Sequence, residues 1–552
     1  MRTSTELKSS ATGTSSDLFQ TAARLAEAAV PELADIVTIE VSELTLRGEA
    51  PTPGPLRNGT ALRRAAFQSV RGAKPAYAVG DVTRVPPATP YRQSLTDLCP
   101  RLIRDLRQDG RWLARDSARA RVIRETRAHS LIVVPLVVRG VVLGRVDLYR
   151  RADSAPFGSD DLRAAVRFAD HAAQCLDIVR GRVQERAHAR LLQRDLLPEV
   201  LPSLSAVEDA EGHVPEEGSG GEWFDVIPLP GARAALVVGV AEGQGACSAV
   251  GMSQLRAMVI ALAVRDLGPG EILACLDDVV TRLTREQTAP GRRSLDMSYA
   301  GSSYLCVVYD PVTGHCTASW AGRPELVVVF PDGVVSTLVL ASHPPLGATG
   351  RPFETTAEVD VPSGSVLLLR SGGPDEPHPG PDTAVERIRE VVDRSGPDVR
   401  KIIEGVRRAV SQGPEPALLV ARTRALDPEN VATLAVPPDA PAVAAARAWT
   451  SRQLTDWTLD ELAFTTALVV SELVTNAIRY SGGPVELRLI NDDHTLICEV
   501  SDSSSAAPRL RKAKPIDEGG RGLSIVSELT QHNGIRYTAD GKTVWTEQDH
   551  PA

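Results

Sequence analysis

The pattern of apolar and polar positions predicts a β-hairpin in the first third of the chain. Two runs rich in β-branched residues, Leu131–Val138 and Val141–Leu148, are joined at Arg139-Gly140. Two such runs separated by two residues that include a glycine are typical of a tight hairpin. We therefore expect these two segments to lie side by side in one sheet.

A helical pattern follows the hairpin and begins at Ser159. Serine favours the helix N-cap, and Asp160 and Asp161 follow at the positive end of the helix dipole. Apolar residues then recur at alternating steps of four and three, and Arg180 interrupts a register that is otherwise kept by Leu162, Val166, Ala169, Ala173, Leu176, Val183 and Ala187. This spacing suits a two-stranded coiled coil that would make a homodimer through the linker helix. It suits equally a helix packed against its own domain.

Strand-like and helical runs alternate from about Leu191 to Arg424. Strands are predicted at Ala234–Ala241, Ser303–Asp310, Glu325–Phe330 and Ser365–Arg370, and helices at Gly251–Val264 and Pro269–Leu283. Beyond Arg424 the pattern changes. It predicts helices at Pro441–Leu454 and Leu459–Tyr480, strands at Val485–Ile490 and Leu496–Val500, a glycine-rich loop and a closing strand.

Length and composition fit several soluble domains. A chain of 552 residues predicts about three to five domains, and 43% hydrophobic with 24% charged residues is ordinary for globular protein. The net charge of -9 gives no reason to expect nucleic acid as a partner, because nucleic-acid binding would need a clustered basic face. The N-terminus lacks the apolar core of a signal peptide, and no apolar stretch approaches membrane-spanning length. We expect a cytoplasmic protein that binds neither nucleic acid nor membrane.

The seven cysteines are scattered without a Cys-x-x-Cys pair. An odd, unpatterned set predicts neither a disulfide framework nor a zinc site. We expect the cysteines that lie in apolar runs to behave as small core residues.

Two polar residues stand out on the otherwise apolar helix LDELAFTTALVVSELVTNAIRYS. Glu472 and Asn476 lie four residues apart, so they share one helix face and sit about 6 Å apart along the axis. An asparagine amide oxygen can bind Mg²⁺, which takes few protein ligands and keeps several waters. By themselves, these two residues would equally make an ordinary exposed pair.

The segments that follow this helix favour a nucleotide site. The strand LICEVSD ends at Asp502, whose carboxylate can accept a hydrogen bond from an adenine amino group. The segment GGRGLSIV then places Gly519, Gly520 and Gly522 before an apolar helix, where backbone N–H groups can approach phosphates. The closing strand carries Thr543 in DGKTVW. A glycine cluster alone is weak, but this order and spacing are strong.

Residues 430–552 resemble the GHKL ATPase superfamily, and most closely its anti-sigma-factor serine kinase branch. The resemblance matches Glu472 and Asn476 to the N-box, Asp502 to the adenine-binding aspartate, and the three glycines to the phosphate loop. It implies ATP and Mg²⁺ as cofactors, with Thr543 also at the nucleotide. One departure is Ser503-Ser504 in place of the Asp-x-Gly that histidine kinases carry.

The sequence also distinguishes a serine kinase from a sensor histidine kinase. A sensor histidine kinase needs a phosphate-accepting histidine just before its ATPase domain, but none lies between His378 and His494. Transfer to a protein Ser or Thr hydroxyl is therefore the better interpretation. In that role Glu472 would be the catalytic base and Asn476 would hold Mg²⁺.

The middle block resembles the SpoIIE branch of the PPM protein phosphatases, but it departs from the family at the metal ligands. Glu222 replaces an aspartate, Val240 stands where an aspartate bridges two metals, and Gly372 replaces a further aspartate; the late Asp-Asp-x-Ala reads Pro414-Glu415-Pro416-Ala417. A valine cannot bind a hard divalent ion. Without a metal pair, no bound water would be activated. We therefore expect no Mn²⁺- or Mg²⁺-dependent phosphatase activity; the alternative is an unusual metal site made of Glu222, Asp225, Glu242 and Glu415.

The first block resembles a GAF domain through HSLIVVPLVVRGVVLGRVDLYRR and FGSDDLRAAVRFADHAAQCLD. GAF domains commonly sense small molecules or mediate dimerisation. No residue of this block indicates which ligand it would bind. Cys99, His129 and His171 are each better explained as structural residues than as haem or metal ligands.

Together these features predict an α/β (α+β) multidomain protein of three modules. Residues 16–182 are expected to form a GAF sensor fold, residues 183–425 a PPM phosphatase β-sandwich with flanking helices, and residues 426–552 a GHKL ATPase α/β sandwich. The resemblance implies an anti-anti-sigma (STAS) protein as the phosphorylated partner, and a sigma factor as a further partner. The alternatives are a dual kinase and phosphatase, and a nucleotide-gated protein that sequesters a partner without catalysis.

Overall fold

The computed structural model describes residues 15–56, 60–70, 72–83, 85–215, 220–243, 245–287, 299–338, 340, 343–348, 356–372, 390–391, 398–410, 417–481, 483–504, 522–538 and 541–550. The chain divides into two compact units, Met1–His188 and Ala189–Ala552, each of which is described by itself.

The first unit contains a six-stranded antiparallel sheet with the strand order β3-β2-β1-β6-β5-β4. Its strands are β1 (Ile36–Ser42), β2 (Leu62–Ser69), β3 (Val82–Thr83), β4 (Arg101–Ile103), β5 (Ala128–Val138) and β6 (Val141–Arg151). The predicted hairpin is confirmed as β5 and β6. Arg139 and Gly140 both have positive φ, of 48° and 78°, as a two-residue turn between twisted strands requires.

The described residues of this unit form six helices, the last of which extends beyond it: α1 (Ser15–Ala29), α2 (Glu43–Leu46), α3 (Pro90–Asp97), α4 (Leu106–Asp109), α5 (Ser117–Thr126) and α6 (Ser159–Leu196), with a 3₁₀ helix at Gly110–Arg115. The helix predicted from Ser159 is confirmed as α6. From Leu162 to Leu176 its apolar seam packs against α1 and the sheet, and Ala169, Ala173 and Leu176 are 0–1% exposed. This part of the seam is therefore packed on its own domain. Val183 is half-buried and Ala187 is exposed, and the homodimer through the linker helix stays a prediction.

The second unit begins with a sandwich of two five-stranded sheets, whose orders are β14-β11-β10-β9-β8 and β13-β12-β15-β16-β7. The strands are β7 (Val207–His213), β8 (Glu222–Leu229), β9 (Arg233–Val240), β10 (Ser303–Asp310), β11 (His315–Ala321), β12 (Glu325–Val329), β13 (Val335–Leu338), β14 (Thr356–Asp360), β15 (Val366–Arg370) and β16 (Leu418–Thr423). The four strands predicted for this block are confirmed as β9, β10, β12 and β15.

Helices cover both outer faces of the sandwich. They are α7 (Ala246–Ala263), α8 (Pro269–Gln287) and α9 (Val399–Val410). Residues alternate along β15, so that Leu367 and Leu369 join the core between the sheets while Val366 and Leu368 pack with α9. This arrangement is a β-sandwich with flanking helices.

The chain ends in a sheet of order β17-β18-β19-β21-β20 with helices on one face. The strands are β17 (Val431–Val436), β18 (Val485–Asp492), β19 (Thr495–Asp502), β20 (His532–Thr538) and β21 (Gly541–Asp549); the helices are α10 (Ala440–Asp456), α11 (Ala463–Ser481) and α12 (Gly522–Leu529), with 3₁₀ helices at Pro428–Asn430 and Asp460–Leu462. One core holds this layer pair together, with Val470 and Val474 of α11 packed against Leu487 and Val500 of the sheet.

The face of this last sheet that points away from the helices rests on the sandwich through charged groups. Arg536 of β20 donates to Asp266, which follows α7, and to Glu499 of β19, at 3.0 Å in each case. The side chains of Asp266 and Glu499 are only 1% and 5% exposed. Arg233 of β9 also pairs with Asp266. The two parts of the second unit are thus joined by an ion-pair cluster that water scarcely reaches.

Within the described part of the chain, two helices of the second unit are long and apolar enough to cross a membrane, which the sequence analysis did not anticipate. They are Ala246–Ala263, which is α7, and Asp460–Ser481, which contains α11. Both pack in protein cores: Met252 and Val259 of α7 lie in the sandwich core, and Val470 and Val474 of α11 lie in the core of the last sheet. Core helices of soluble proteins share this composition.

We predict that Arg536→Met destabilises the second unit by about 3 kcal/mol, because it leaves the buried carboxylates of Asp266 and Glu499 short of a cation. Urea unfolding followed by circular dichroism would measure the change. The control is Arg282→Met, which removes an exposed pair with Glu286 and should cost less than about 1 kcal/mol. Equal effects of the two substitutions would show that the cluster does not join the modules.

Candidate functional site

Glu472 and Asn476 lie on α11, whose opposite side is fixed in the core. Val469, Val470, Leu473 and Val474 are at most 2% exposed, so the helix has one rotational setting. This setting leaves both polar side chains half-buried. They lie one turn apart on the helix, as predicted.

Gly522 is the first residue of α12, and it lies directly on Glu472. A Cβ atom added to Gly522 would be 2.3 Å from Oε2 of Glu472, much closer than any real contact. An added Cβ would displace the end of the Glu472 side chain, so glycine keeps the start of α12 close to this carboxylate without such a shift. The structure thus brings together two predicted site residues, Glu472 and Gly522, at a helix N-terminus, where the backbone favours bound anions. Gly519 and Gly520 lie outside the described residues.

Asp502 is buried at the end of β19 and is held by two donors. Lys542 Nζ and the backbone N–H of Ser504 each donate to Oδ1 at 2.8 Å. The side chains of Asp502 and Lys542 are 3% and 5% exposed. Part of the carboxylate that we expect to meet an adenine amino group is therefore already occupied by a cation from this chain.

Thr543 lies on the other face of the sheet from Asp502. In the register of β19 and β21, Asp502 is opposite Lys542 and Ser501 is opposite Thr543. Gln548 of β21 accepts a hydrogen bond from Thr466 of α11 at 2.8 Å, so the even-numbered residues of β21 face the helices. Thr543 instead contacts Ser501 Oγ at 2.9 Å on the outer face. Because strand residues alternate, Thr543 lies one position away from the residue that faces the helices, and its place at the nucleotide stays a prediction.

Lys542 is the residue that sequence reasoning missed on this strand. The sequence does contain a signal for it. Val544 packs against the core, and because strand residues alternate, residue 542 lies on the same face as Val544. The helix-facing side of this part of the sheet therefore presents Asp502 and Lys542, while Glu472, Asn476 and Gly522 lie on the helices. These groups could hold Mg²⁺ and a polyphosphate: Asn476 offers an amide oxygen, Glu472 a carboxylate, and α12 a helix N-terminus opened by glycine.

In the sandwich, Glu222 is buried and bound by donors of this chain. The Gln193 amide, near the end of α6, donates to the Glu222 carbonyl oxygen at 2.7 Å and to Oε2 at 3.3 Å. The backbone N–H of Gly220 donates to the same Oε2 at 3.0 Å. Protein N–H groups thus occupy a carboxylate oxygen that a metal ion would need.

Asp225 does not share a site with Glu222. The two residues are three apart on β8, so their side chains point to opposite faces. Arg256 of α7 donates to Asp225 Oδ2 at 2.7 Å and to the Leu196 carbonyl at 3.0 Å, so Asp225 anchors the end of α6. Burial raises the pKa of Asp225, and Arg256 opposes that effect. Glu222 and Asp225 therefore do not face a common site. Glu415 lies outside the described residues, so the alternative of a metal site made of Glu222, Asp225, Glu242 and Glu415 stays a prediction.

Val240 and Gly372 stand where the family resemblance places metal-binding aspartates, and neither position offers a metal ligand from its side chain. Val240 ends β9, opposite Glu222 and Ser303, and presents a hydrocarbon side chain. Gly372 is more restrictive, because an added Cβ would lie 1.9 Å from the carbonyl oxygen of Arg323. Hydrogen bonds between Ser371 and Ala417, both 2.9 Å, fix this segment. No side chain of any kind fits at 372 without moving backbone.

These residues do not fit a bridged metal pair. In the part of the chain that the structure describes, no group of three or more His, Cys, Asp or Glu side chains could hold a metal ion. The carboxylates of Glu222 and Asp225 are engaged by protein donors, and positions 240 and 372 offer no oxygen ligand from a side chain.

The three residues considered as ligands in the first unit have local partners. His129 Nε2 lies 2.9 Å from the carbonyl oxygen of Ser154, and His171 Nε2 lies 3.6 Å from Cys175 Sγ. Cys99 is exposed, and its backbone N–H donates to Asp97 at 3.0 Å. Nothing draws these three residues into one site.

Three family models match the chain in sequence order. A GAF domain model matches residues 56–176, a Stage II sporulation protein E (SpoIIE) model residues 230–423, and a histidine kinase-like ATPase domain model residues 436–547. A search among curated proteins gave no match.

Solved structures similar to this chain include the RsbU and RsbW domains of Rv1364c from Mycobacterium tuberculosis, with 19% identity, coverage of 64% of this chain and 98% of that one, and a TM-score of 0.33. The SpoIIE phosphatase domain with a regulatory fragment from Bacillus subtilis is 15% identical, covering 40% and 63%, with a TM-score of 0.30. The SiaA-PP2C domain of Pseudomonas aeruginosa is 17% identical, covering 43% and 96%, with a TM-score of 0.33.

The family models, and not these distant likenesses, carry the assignment of the modules. Their order agrees with the strand orders and helix layers described above. The chain is therefore a three-module protein in which a GAF domain precedes a SpoIIE domain of the PPM phosphatase type and a histidine kinase-like ATPase domain.

Proposed function

We propose that this protein is a cytoplasmic partner-switching regulator that binds ATP with Mg²⁺ in its last module and phosphorylates a Ser or Thr of a STAS protein. The contact between Glu472 and Gly522 carries the proposal, because it sets a carboxylate against the N-terminus of α12. A sigma factor is proposed as a further partner. The SpoIIE module is proposed to have lost its hydrolytic activity.

The residues divide the chemistry as follows. Asn476 would hold Mg²⁺, which when bound offsets the negative charge of the phosphates. Glu472 would accept the proton of the partner's hydroxyl group as its oxygen bonds to the γ-phosphorus of ATP. The bond from that phosphorus to the bridging oxygen breaks, and ADP leaves. Gly522 keeps the start of α12 free of side chains beside Glu472.

A second candidate function is sequestration of a partner without phosphate transfer. The ion pair between Lys542 and Asp502 favours it, because Oδ1 of Asp502 is occupied by Lys542 at 2.8 Å where adenine recognition is expected. A module that held ATP in a non-productive position, or not at all, could still bind a protein partner.

The nucleotide site gives the first test of this proposal. The protein should bind ATP with Mg²⁺ at micromolar to sub-millimolar affinity, about -5 to -8 kcal/mol, in calorimetry. Asn476→Ala should weaken binding at least about tenfold, since it removes the Mg²⁺ ligand. Thr475→Ala is the matched control, because Thr475 is the exposed neighbour on the same helix. Equal ATP affinity of Asn476→Ala and wild type would contradict the site.

The catalytic role of Glu472 separates the kinase from the sequestering protein. Glu472→Gln keeps the size and hydrogen-bonding ability of the side chain but cannot take a proton. It should still bind ATP, yet transfer labelled phosphate to purified STAS proteins of the same genome about 100-fold more slowly or worse. Wild-type protein that binds both ATP and a STAS protein but never transfers phosphate would leave sequestration as the function.

The SpoIIE module should show no Mn²⁺- or Mg²⁺-dependent hydrolysis of phosphorylated STAS protein or of an aryl phosphate. Val240→Asp combined with Gly372→Asp should not restore it, because Gly372→Asp meets the Arg323 carbonyl and should destabilise the module by about 1–3 kcal/mol or more. Gly181→Asp is the control, since nothing lies within 4 Å of a Cβ there. Metal-dependent turnover by the wild type that Glu222→Ala abolishes would establish the dual kinase and phosphatase instead.

A further inference from the structure

Lys542 forms an ion pair with Asp502 that has no part in the phosphate transfer proposed above. The two residues are direct partners across β19 and β21, so their side chains lie on the same side of the sheet, toward the helices. Gly541 permits this close approach, because a Cβ atom added there would lie 1.9 Å from the carbonyl oxygen of Asp502. The start of β21 therefore holds Lys542 directly beside the carboxylate.

The ammonium group of Lys542 keeps one N–H that the described residues do not use. Nζ donates to Asp502 Oδ1 at 2.8 Å and to the carbonyl oxygen of Ser504 at 3.1 Å. A lysine ammonium carries three N–H groups. Two of them are thus engaged within the chain, and the third has no acceptor in the part of the chain that the structure describes.

The carboxylate of Asp502 keeps one oxygen in the same way. Oδ1 accepts from Lys542 and from the backbone N–H of Ser504. Oδ2 accepts no hydrogen bond from the described residues and is not fully enclosed by protein atoms. The pair therefore offers a hydrogen-bond acceptor, Oδ2, next to a hydrogen-bond donor, Nζ.

A carboxylate that stands alone accepts only one of the two purine bases readily. Adenine carries an amino group at C6, which donates to a carboxylate, whereas guanine carries a carbonyl oxygen there, which is a second acceptor. Two acceptors that face each other away from water leave both groups without a hydrogen bond, and such a mismatch is costly. A donor beside the carboxylate removes this mismatch, because the guanine carbonyl oxygen then has a partner.

We propose that Lys542 is a specificity-determining residue of the nucleotide site, and that it lets the site bind GTP as well as ATP. With adenine, the amino group donates to Asp502 Oδ2 and N1 accepts from Lys542 Nζ. With guanine, the carbonyl oxygen accepts from Nζ and the N1–H group donates to Oδ2. This inference rests on the proposed nucleotide site, and it widens the phosphate donor from ATP to both purine nucleoside triphosphates.

Calorimetry on the full chain with Mg²⁺ and either nucleotide tests the inference. The wild type should bind GTP with a dissociation constant within about tenfold of that for ATP. Lys542→Met keeps the length and the apolar stem of the side chain but has no N–H group. It should raise the ratio of the GTP to the ATP dissociation constant at least about tenfold, because the guanine carbonyl oxygen then meets only the carboxylate.

Two further variants separate the donor from other effects of the substitution. Lys542→Gln removes the charge but keeps N–H donors, so its ratio should stay within about threefold of the wild-type ratio. Lys401→Met removes a lysine whose side chain is 66% exposed on α9, and it should leave the ratio unchanged. The comparison of the two nucleotides on the wild type needs no substitution, so it holds even if a variant is destabilised.

The possible failures can be told apart. Wild-type protein that binds ATP but binds GTP more than about 100-fold more weakly would overturn this inference and leave the proposed function standing. An unchanged ratio in Lys542→Met would show that Lys542 does not determine the specificity. Wild-type protein that binds neither nucleotide would refute the nucleotide site itself, and both proposals with it.

Discussion

Arg536 joins the two halves of the second unit, because it is the cation that two buried carboxylates share. Asp266 belongs to the sandwich and Glu499 to the ATPase sheet, and each lies 3.0 Å from the guanidinium group. Such pairs need not add net stability relative to hydrocarbon, but they are specific, since any slip leaves a charge unpaired. The cluster therefore fixes which face of the ATPase sheet rests on the sandwich, and the opposite face, which carries Asp502 and Lys542, lies toward the helices.

The SpoIIE module uses two buried acids of β8 to hold the end of α6. Glu222 accepts a hydrogen bond from Gln193, which belongs to that helix. Asp225 accepts one from Arg256, which also donates to the Leu196 carbonyl of the helix. These two acids therefore connect the end of α6 to the β-sandwich.

Much of the fold could be predicted because it depends on local pattern. The β5–β6 hairpin, α6, and the strands of the sandwich follow from period-two and period-3.6 spacing. The site was harder to predict. Thr543 was predicted one position away from Lys542, the residue that faces the helices. The motif indicates which strand carries the site but not which of its alternating residues face the helices. The clash at Gly372 depends on Arg323, 49 positions earlier in sequence, and no local pattern reports such a contact. Arg145 and Asp147 alternate with apolar residues along β6, so a charged face of that strand was visible in the sequence. Arg64 and Arg119, which share Glu40 with Arg145, come from distant segments.

Gly372 limits what mutation can do at this position. A glycine codon can become an aspartate codon by one base change, so a carboxylate at residue 372 is a short mutational step away. The Arg323 carbonyl opposes that step, because it occupies the space that any side chain at residue 372 would need. A substitution that is simple in the gene therefore demands a displacement of the backbone in the protein.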